Sequence, residues 1–121
     1  MSESTEQVSV VKWFRAQYPK TRIISIPNGA QIAGSGKRKF GLINKYKAEG
    51  MTNGVSDLFI CKPNELYAGL WLEMNDIRKT ACSLSKDQKE FMQDMLAAGY
   101  HATWAAGFDQ AREEIEKYMN T

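Results

Sequence analysis

The chain of 121 residues holds one histidine, two cysteines and three prolines, and no long apolar run. Each scarcity removes a class of chemistry. A Ser-His-Asp or Cys-His arrangement would have to pass through His101, and no nucleophile motif lies near it. Cys61 and Cys82 with that single histidine, all widely spaced, do not make a zinc site, which needs about four close-set ligands. No segment reaches the ~18 apolar residues of a membrane span, so no membrane partner is expected. The opening Met1-Ser2-Glu3-Ser4-Thr5-Glu6-Gln7 is polar and acidic, unlike a secretory signal or transit peptide. The two thiols therefore read as reduced, and a cytoplasmic location is expected. Charge of one sign is also scarce: 16 basic against 14 acidic residues give a net +2, too small to argue for nucleic acid.

What is present reads as one soluble domain over residues 1–121, with 43% hydrophobic and 25% charged residues. The positive charge is unevenly placed. From Gly34 to Lys47 the chain carries Lys37, Arg38, Lys39, Lys45 and Lys47 and no acid. Such a patch suits phosphates, and it equally suits a solvated loop.

Hydrophobic spacing predicts a first helix over 4–18, with Ser4 and Gln7 as a capping box and a stripe through Val8, Val11, Phe14 and Tyr18. Pro19 ends it. Arg22 to Ile26 is a short strand closed by the turn Pro27-Asn28-Gly29. Residues 28–56, rich in glycine, read as a loop with one helical turn near 41–48. Asp57 to Cys61 and Tyr67 to Met74 form a hairpin. Ser85 starts a helix that runs to Ala98, with Gly99 closing it. Tyr100 to Ala105 is a strand. The last helix, Asp109 to Tyr118, carries Ala111, Ile115 and Tyr118 on one stripe. The order α-β-β-β-α-β-α makes an α/β fold with a mixed β-sheet flanked by helices.

Asp57 and Glu73 are acids set in apolar strands, where an acid is costly unless paired or bound to a cation. If the strands pair, both reach one edge of the sheet, and two hard oxygen ligands there suit Mg²⁺ or Mn²⁺. The competing reading has Asp57 capping a turn and Glu73 facing solvent. Gln88 falls on the apolar stripe of its helix with Phe91, Met92, Met95 and Leu96. It either serves a polar site between helix and strands or marks the border of the stripe. Gly36-Lys37 is not a phosphate-binding P-loop: Gln31 stands where that motif needs glycine, and Arg38 where it needs Ser or Thr.

Taken in order, these residues resemble the VRR-NUC domain, a branch of the PD-(D/E)XK nuclease superfamily, in its small stand-alone phage and bacterial form. The likeness runs from Ser2-Glu3, Gln7 and Trp13 through Ile26-Pro27-Asn28-Gly29 and Lys47-Ala48-Glu49-Gly50. It continues with Gly54-Val55-Ser56-Asp57-Leu58, Gly69-Leu70-Trp71-Leu72-Glu73-Met74 and Leu84-Ser85 with Gln88. Ala98-Gly99-Tyr100 and Gly107-Phe108-Asp109-Gln110-Ala111 complete it. The resemblance implies a restriction-endonuclease-like fold and Mg²⁺- or Mn²⁺-dependent cutting of DNA. It implies metal held by Asp57, Glu73 and the main-chain carbonyl of Met74, a supporting Gln88, and Glu3 nearby. It also implies a homodimer that cuts branched DNA, Holliday junctions included, in a bacterial or phage-infected cell.

Two positions depart from the pattern. Ser56 stands where many members have proline. Asn75 stands where the family has a lysine that positions water and offsets negative charge; asparagine donates a hydrogen bond but carries no charge. Three explanations stand open: an inactivated variant, a natural weak or binding-only member, or another lysine, with Lys79 and Lys86 nearest in sequence.

Overall fold

Helix α1 (Glu3–Gln17) gives way just before Pro19, whose missing amide cannot continue it. This computed structural model describes residues 3–27, 34–78 and 83–121, and among them are four helices and a four-stranded mixed sheet. The inner face of α1 is Glu6, Val10 and Phe14, one helical row. That turns the expected stripe: Val8 is half exposed while Val10 is fully enclosed. Valines at 8, 10 and 11 fit two phases of a helix, and packing on the sheet selects one. Ser4 lies inside the helix rather than capping it.

The strands are β1 (Ile23–Ser25), β2 (Leu58–Ile60), β3 (Leu70–Asn75) and β4 (His101–Ala106), in that spatial order. β1, β2 and β3 are antiparallel neighbours, and β3 and β4 run parallel. A parallel pair needs a crossover, and α3 (Lys86–Ala97) supplies it. The expected hairpin of β2 and β3 is present, with β3 beginning at Leu70 rather than Tyr67.

Residues 36–48 are the main departure. Instead of one turn they form a full helix, α2 (Gly36–Ala48). Gly36 and Gly41 hid it, yet Lys37, Arg38 and Lys39 between them and Leu42 and Lys45 after them are good helix formers. Its end is fixed by hydrogen bonds from the Gly50 amide to the Lys47 carbonyl and from the Met51 amide to the Tyr46 carbonyl. None of its residues is buried.

One sheet face builds the core. Leu58, Ile60, Leu70, Leu72, Met74 and Ala105 meet Val10 and Phe14 of α1 and Ala111, Ile115 and Tyr118 of α4 (Phe108–Met119). The expected stripe of the last helix is thus the one buried. Truncating an enclosed side chain such as Phe14 costs about 3–5 kcal/mol. The opposite face carries Phe59 packed on Trp71 at 4.4 Å, with Phe91 of α3 edge-on to Trp71 at 5.1 Å. Helix α3 has no fully buried residue, and Leu96 of its expected stripe is exposed.

Candidate active site

β3 alternates between the two faces. Leu70, Leu72 and Met74 enter the core, so Trp71, Glu73 and Asn75 share the face that α3 covers. β2 pairs Leu58 with Leu72, and one step further places Asp57 opposite Glu73. Both acids are more than nine-tenths buried. The two carboxylates singled out from sequence are therefore neighbours on one sheet face.

The Met74 amide donates to Asp57 Oδ2 at 2.7 Å, replacing a ladder bond where β2 leaves β3. The Asp57 carbonyl accepts from the Ile26 amide at 3.0 Å, which anchors the other side of the residue. The Met74 amide thus orients the carboxylate, while the Ile26 amide holds the main-chain carbonyl of the same residue. Among the described residues, no basic side chain forms an ion pair with Asp57. No cluster of three or more His, Cys, Asp and Glu occurs among them either, so main-chain oxygen would have to complete a cation site.

Two orphaned donors bracket Glu73 on its own face. Trp71 Nε1 and Asn75 Nδ2 are buried and have no hydrogen-bond partner among the described residues. Ser56 Oγ, fully enclosed beside Asp57, is orphaned as well. Buried donors of this kind are rare and suit an acceptor brought in from outside. Sequence reading noted Ser56 only as a departure in a turn. The strand register also sets Trp104 beside Glu73, a neighbour that no motif announced.

Gln88 has a local duty. Ser85 and Gln88 form a capping box: Ser85 Oγ accepts from the Gln88 amide at 3.1 Å, and Gln88 Oε1 from the Ser85 amide at 2.8 Å. The side-chain oxygen is committed to the helix start, which leaves the NH₂ group as the part of Gln88 with hydrogens to offer. The helix start is also tied to the Asp57 segment. A Cβ on Gly54, whose φ is +84°, would lie 2.3 Å from the Asp87 carbonyl oxygen and 2.8 Å from the Gln88 nitrogen. Only glycine admits that approach.

Of the two lysines that could substitute at position 75, only Lys86 is among the described residues. Lys86 is exposed and pairs along α3 with Glu90 at 3.8 Å. Arg78 donates to both Asp76 oxygens, at 3.0 and 3.2 Å, and these bonds lower the Asp76 carboxyl to about 2. Lys79 lies outside the described residues, as do Cys82 and the Asn28-Gly29 part of the expected turn. Glu3 opens α1, and its side chain is likewise outside them. One turn on, Glu6 is buried and its Oε2 accepts from the Phe108 amide at 2.7 Å, pinning α1 to the start of α4. Spacing from Glu3 was the available signal for it. Cys61 is a free, exposed thiol. No described helix is long and apolar enough to cross a membrane.

Lys37, Arg38, Lys39, Lys45 and Lys47 all lie on α2, and all but the half-buried Lys39 are exposed. With five cations on one helix and a chain total of +2, the remainder of the molecule is net acidic.

A scan against protein-family models finds no match, and a search among curated proteins finds none. Among solved structures the chain is similar to one described as a VRR_NUC domain protein. The identity is 25% and the TM-score 0.78, over 99% of this chain and 89% of that one. The match runs through every element just described, the hairpin that carries Asp57 and Glu73 included, and the chain thus has a VRR-NUC fold, within the PD-(D/E)XK superfamily.

Proposed function

We propose that this chain is a metal-dependent endonuclease that hydrolyses phosphodiesters of branched DNA, Holliday junctions included. The observation that carries the proposal is the buried Asp57–Glu73 pair on one sheet face, with Asp57 oriented by the Met74 amide. The donors fit a hard divalent ion: Asp57 is buried without an ion pair among the described residues, and the Met74 main chain adjoins it. Asp57, Glu73 and the Met74 carbonyl would hold Mg²⁺ or Mn²⁺. Such an ion, when bound, activates water and offsets charge on phosphate. The residues of the chain then divide the remaining work. The Met74 amide fixes the Asp57 carboxylate. Asn75 Nδ2 and Trp71 Nε1 donate to phosphate oxygen or to the attacking water. Gln88 holds the helix start against the site. Glu3, at the start of α1, would be a further acid toward the ion, as the resemblance implies. The basic α2 contacts the DNA backbone, and a homodimer presents two such sites to two strands.

One observation favours a second reading, a DNA-binding module of the same fold with weak or no cleavage. Asn75 occupies the lysine position, and Lys86, the described one of the two substitute lysines, pairs along α3 with Glu90. An assay of four-way junctions and linear duplex with Mg²⁺ or Mn²⁺ separates the two. Cutting by the chain that is absent in Asp57→Ala supports the first. Binding without cutting, with cutting gained in Asn75→Lys, selects the second. Cutting by Asp57→Ala would remove the site assignment.

A further inference from the structure

Helix α2 presents an exposed aromatic ring among cations. Lys37, Phe40, Asn44 and Lys47 follow at i, i+3, i+7 and i+10, a single row, and all four are exposed. Phe40 is 68% exposed, while Leu42, Ile43 and Lys39 provide the half-buried side. A large apolar ring left in water on a helix that buries nothing adds little to folding. Its neighbours along the row are Lys37 and Asn44, with Lys47 one step beyond Asn44, and no acid occurs from Gly36 to Ala48.

From this arrangement we infer that Phe40 stacks on an unpaired or loosened base at a DNA branch point, while the lysines of the row hold the flanking phosphates. The inference rests on the nuclease reading above and names what makes the substrate branched rather than linear. Aromatic rings stack on exposed bases without regard to sequence, and cations beside them track the backbone. In a continuous duplex every base is already stacked, so the ring gains a partner only where stacking is interrupted. A second copy of the chain is a poor occupant, because a two-fold contact centred on this row would set five cations against five. Placement agrees. Only Glu49 to Ser56 separate α2 from Asp57, so the end of the helix lies at most about 30 Å from Asp57, and Phe40, eight helical residues further back, at most about 42 Å.

The test measures binding of a synthetic four-way junction carrying 2-aminopurine at the branch, beside a linear duplex of equal length, with Ca²⁺ as the divalent ion. The wild-type chain is expected to bind the junction with quenching of the branch-point fluorophore. Phe40→Ala should lose about tenfold in junction affinity and lose the quenching, with duplex affinity unchanged. Phe40→Trp should retain both. Because the ring is exposed, the melting temperature of each variant checks that the fold is intact. Equal junction binding by wild type and Phe40→Ala overturns the inference and leaves the nuclease reading standing. So does an equal loss on junction and duplex, or a dimer that dissociates in Phe40→Ala with DNA affinity per protomer unchanged. A wild-type chain that binds neither DNA overturns both.

Discussion

The Met74 amide and the Asp57 carboxylate are joined by a buried 2.7 Å hydrogen bond across the point where β2 and β3 part. That bond makes the site acid part of the sheet's own hydrogen bonding. Asp57→Ala would leave the amide buried and unpaired, costing about 1–3 kcal/mol, and would also remove the metal binding proposed above. Mn²⁺ at a hundredfold excess over its dissociation constant should stabilise the wild-type chain by about 2.7 kcal/mol. Thermal unfolding with and without Mn²⁺ should show that gain in the wild type and none in Asp57→Ala.

Asn75→Lys is expected to raise cleavage of branched DNA by about a hundredfold, the scale of one well-placed charge-stabilising group. Equal cleavage by both forms would sink the idea that Asn75 limits the chemistry.

Gly54 and Gly41 should respond in opposite ways. Gly54→Ala forces a side chain into the Asp87 carbonyl at positive φ, and a loss of about 2 kcal/mol or more is expected. Gly41→Ala meets nothing within 4 Å inside a helix and should be neutral or stabilising by up to about 1 kcal/mol. Urea unfolding of the two variants measures both; comparable losses would contradict the close contact at Gly54.

His101 supplies a pH dependence. Its ring stacks with Tyr67 at 4.8 Å and with Tyr118 at 6.4 Å, and its Nδ1 is buried without a partner among the described residues. Burial lowers its pKa from 6.5, Glu114 works against that shift and Lys117 adds to it. The unfolded chain therefore takes up the proton before the folded one does. Its contribution to stability is complete above about pH 6.5 and is lost as the pH falls through the lower folded value. In His101→Gln, unfolding midpoints between pH 7 and 5 should fall less than in the wild type.

The parts of this protein governed by short-range chemistry were readable from the chain. Gly99 closing α3, the Ala111-Ile115-Tyr118 stripe and the Asp57–Glu73 hairpin all follow from local spacing. Gln88 shows where local reading divides: its place on the stripe was visible, but its side-chain oxygen belongs to the Ser85 cap, which the same spacing also encodes. Val10 replaced Val8 inside α1 because the sheet, not the helix, selects the phase. Helix α2 escaped because it buries no apolar stripe, and burial is what periodicity reports. The orphaned donors on Trp71, Asn75 and Ser56 depend on register and depth, which no single segment contains.

A helix that buries nothing is also a helix that selection for folding scarcely constrains. With none of its thirteen residues buried, most positions of α2 should change without loosening the core or displacing Asp57. If DNA is the partner proposed above, preference for one shape over another could be re-engineered there while the carboxylates stay fixed. Deep mutational scanning should find α2 tolerant when abundance is scored and intolerant when nuclease function is scored, the reverse of β3, where both scores fall together.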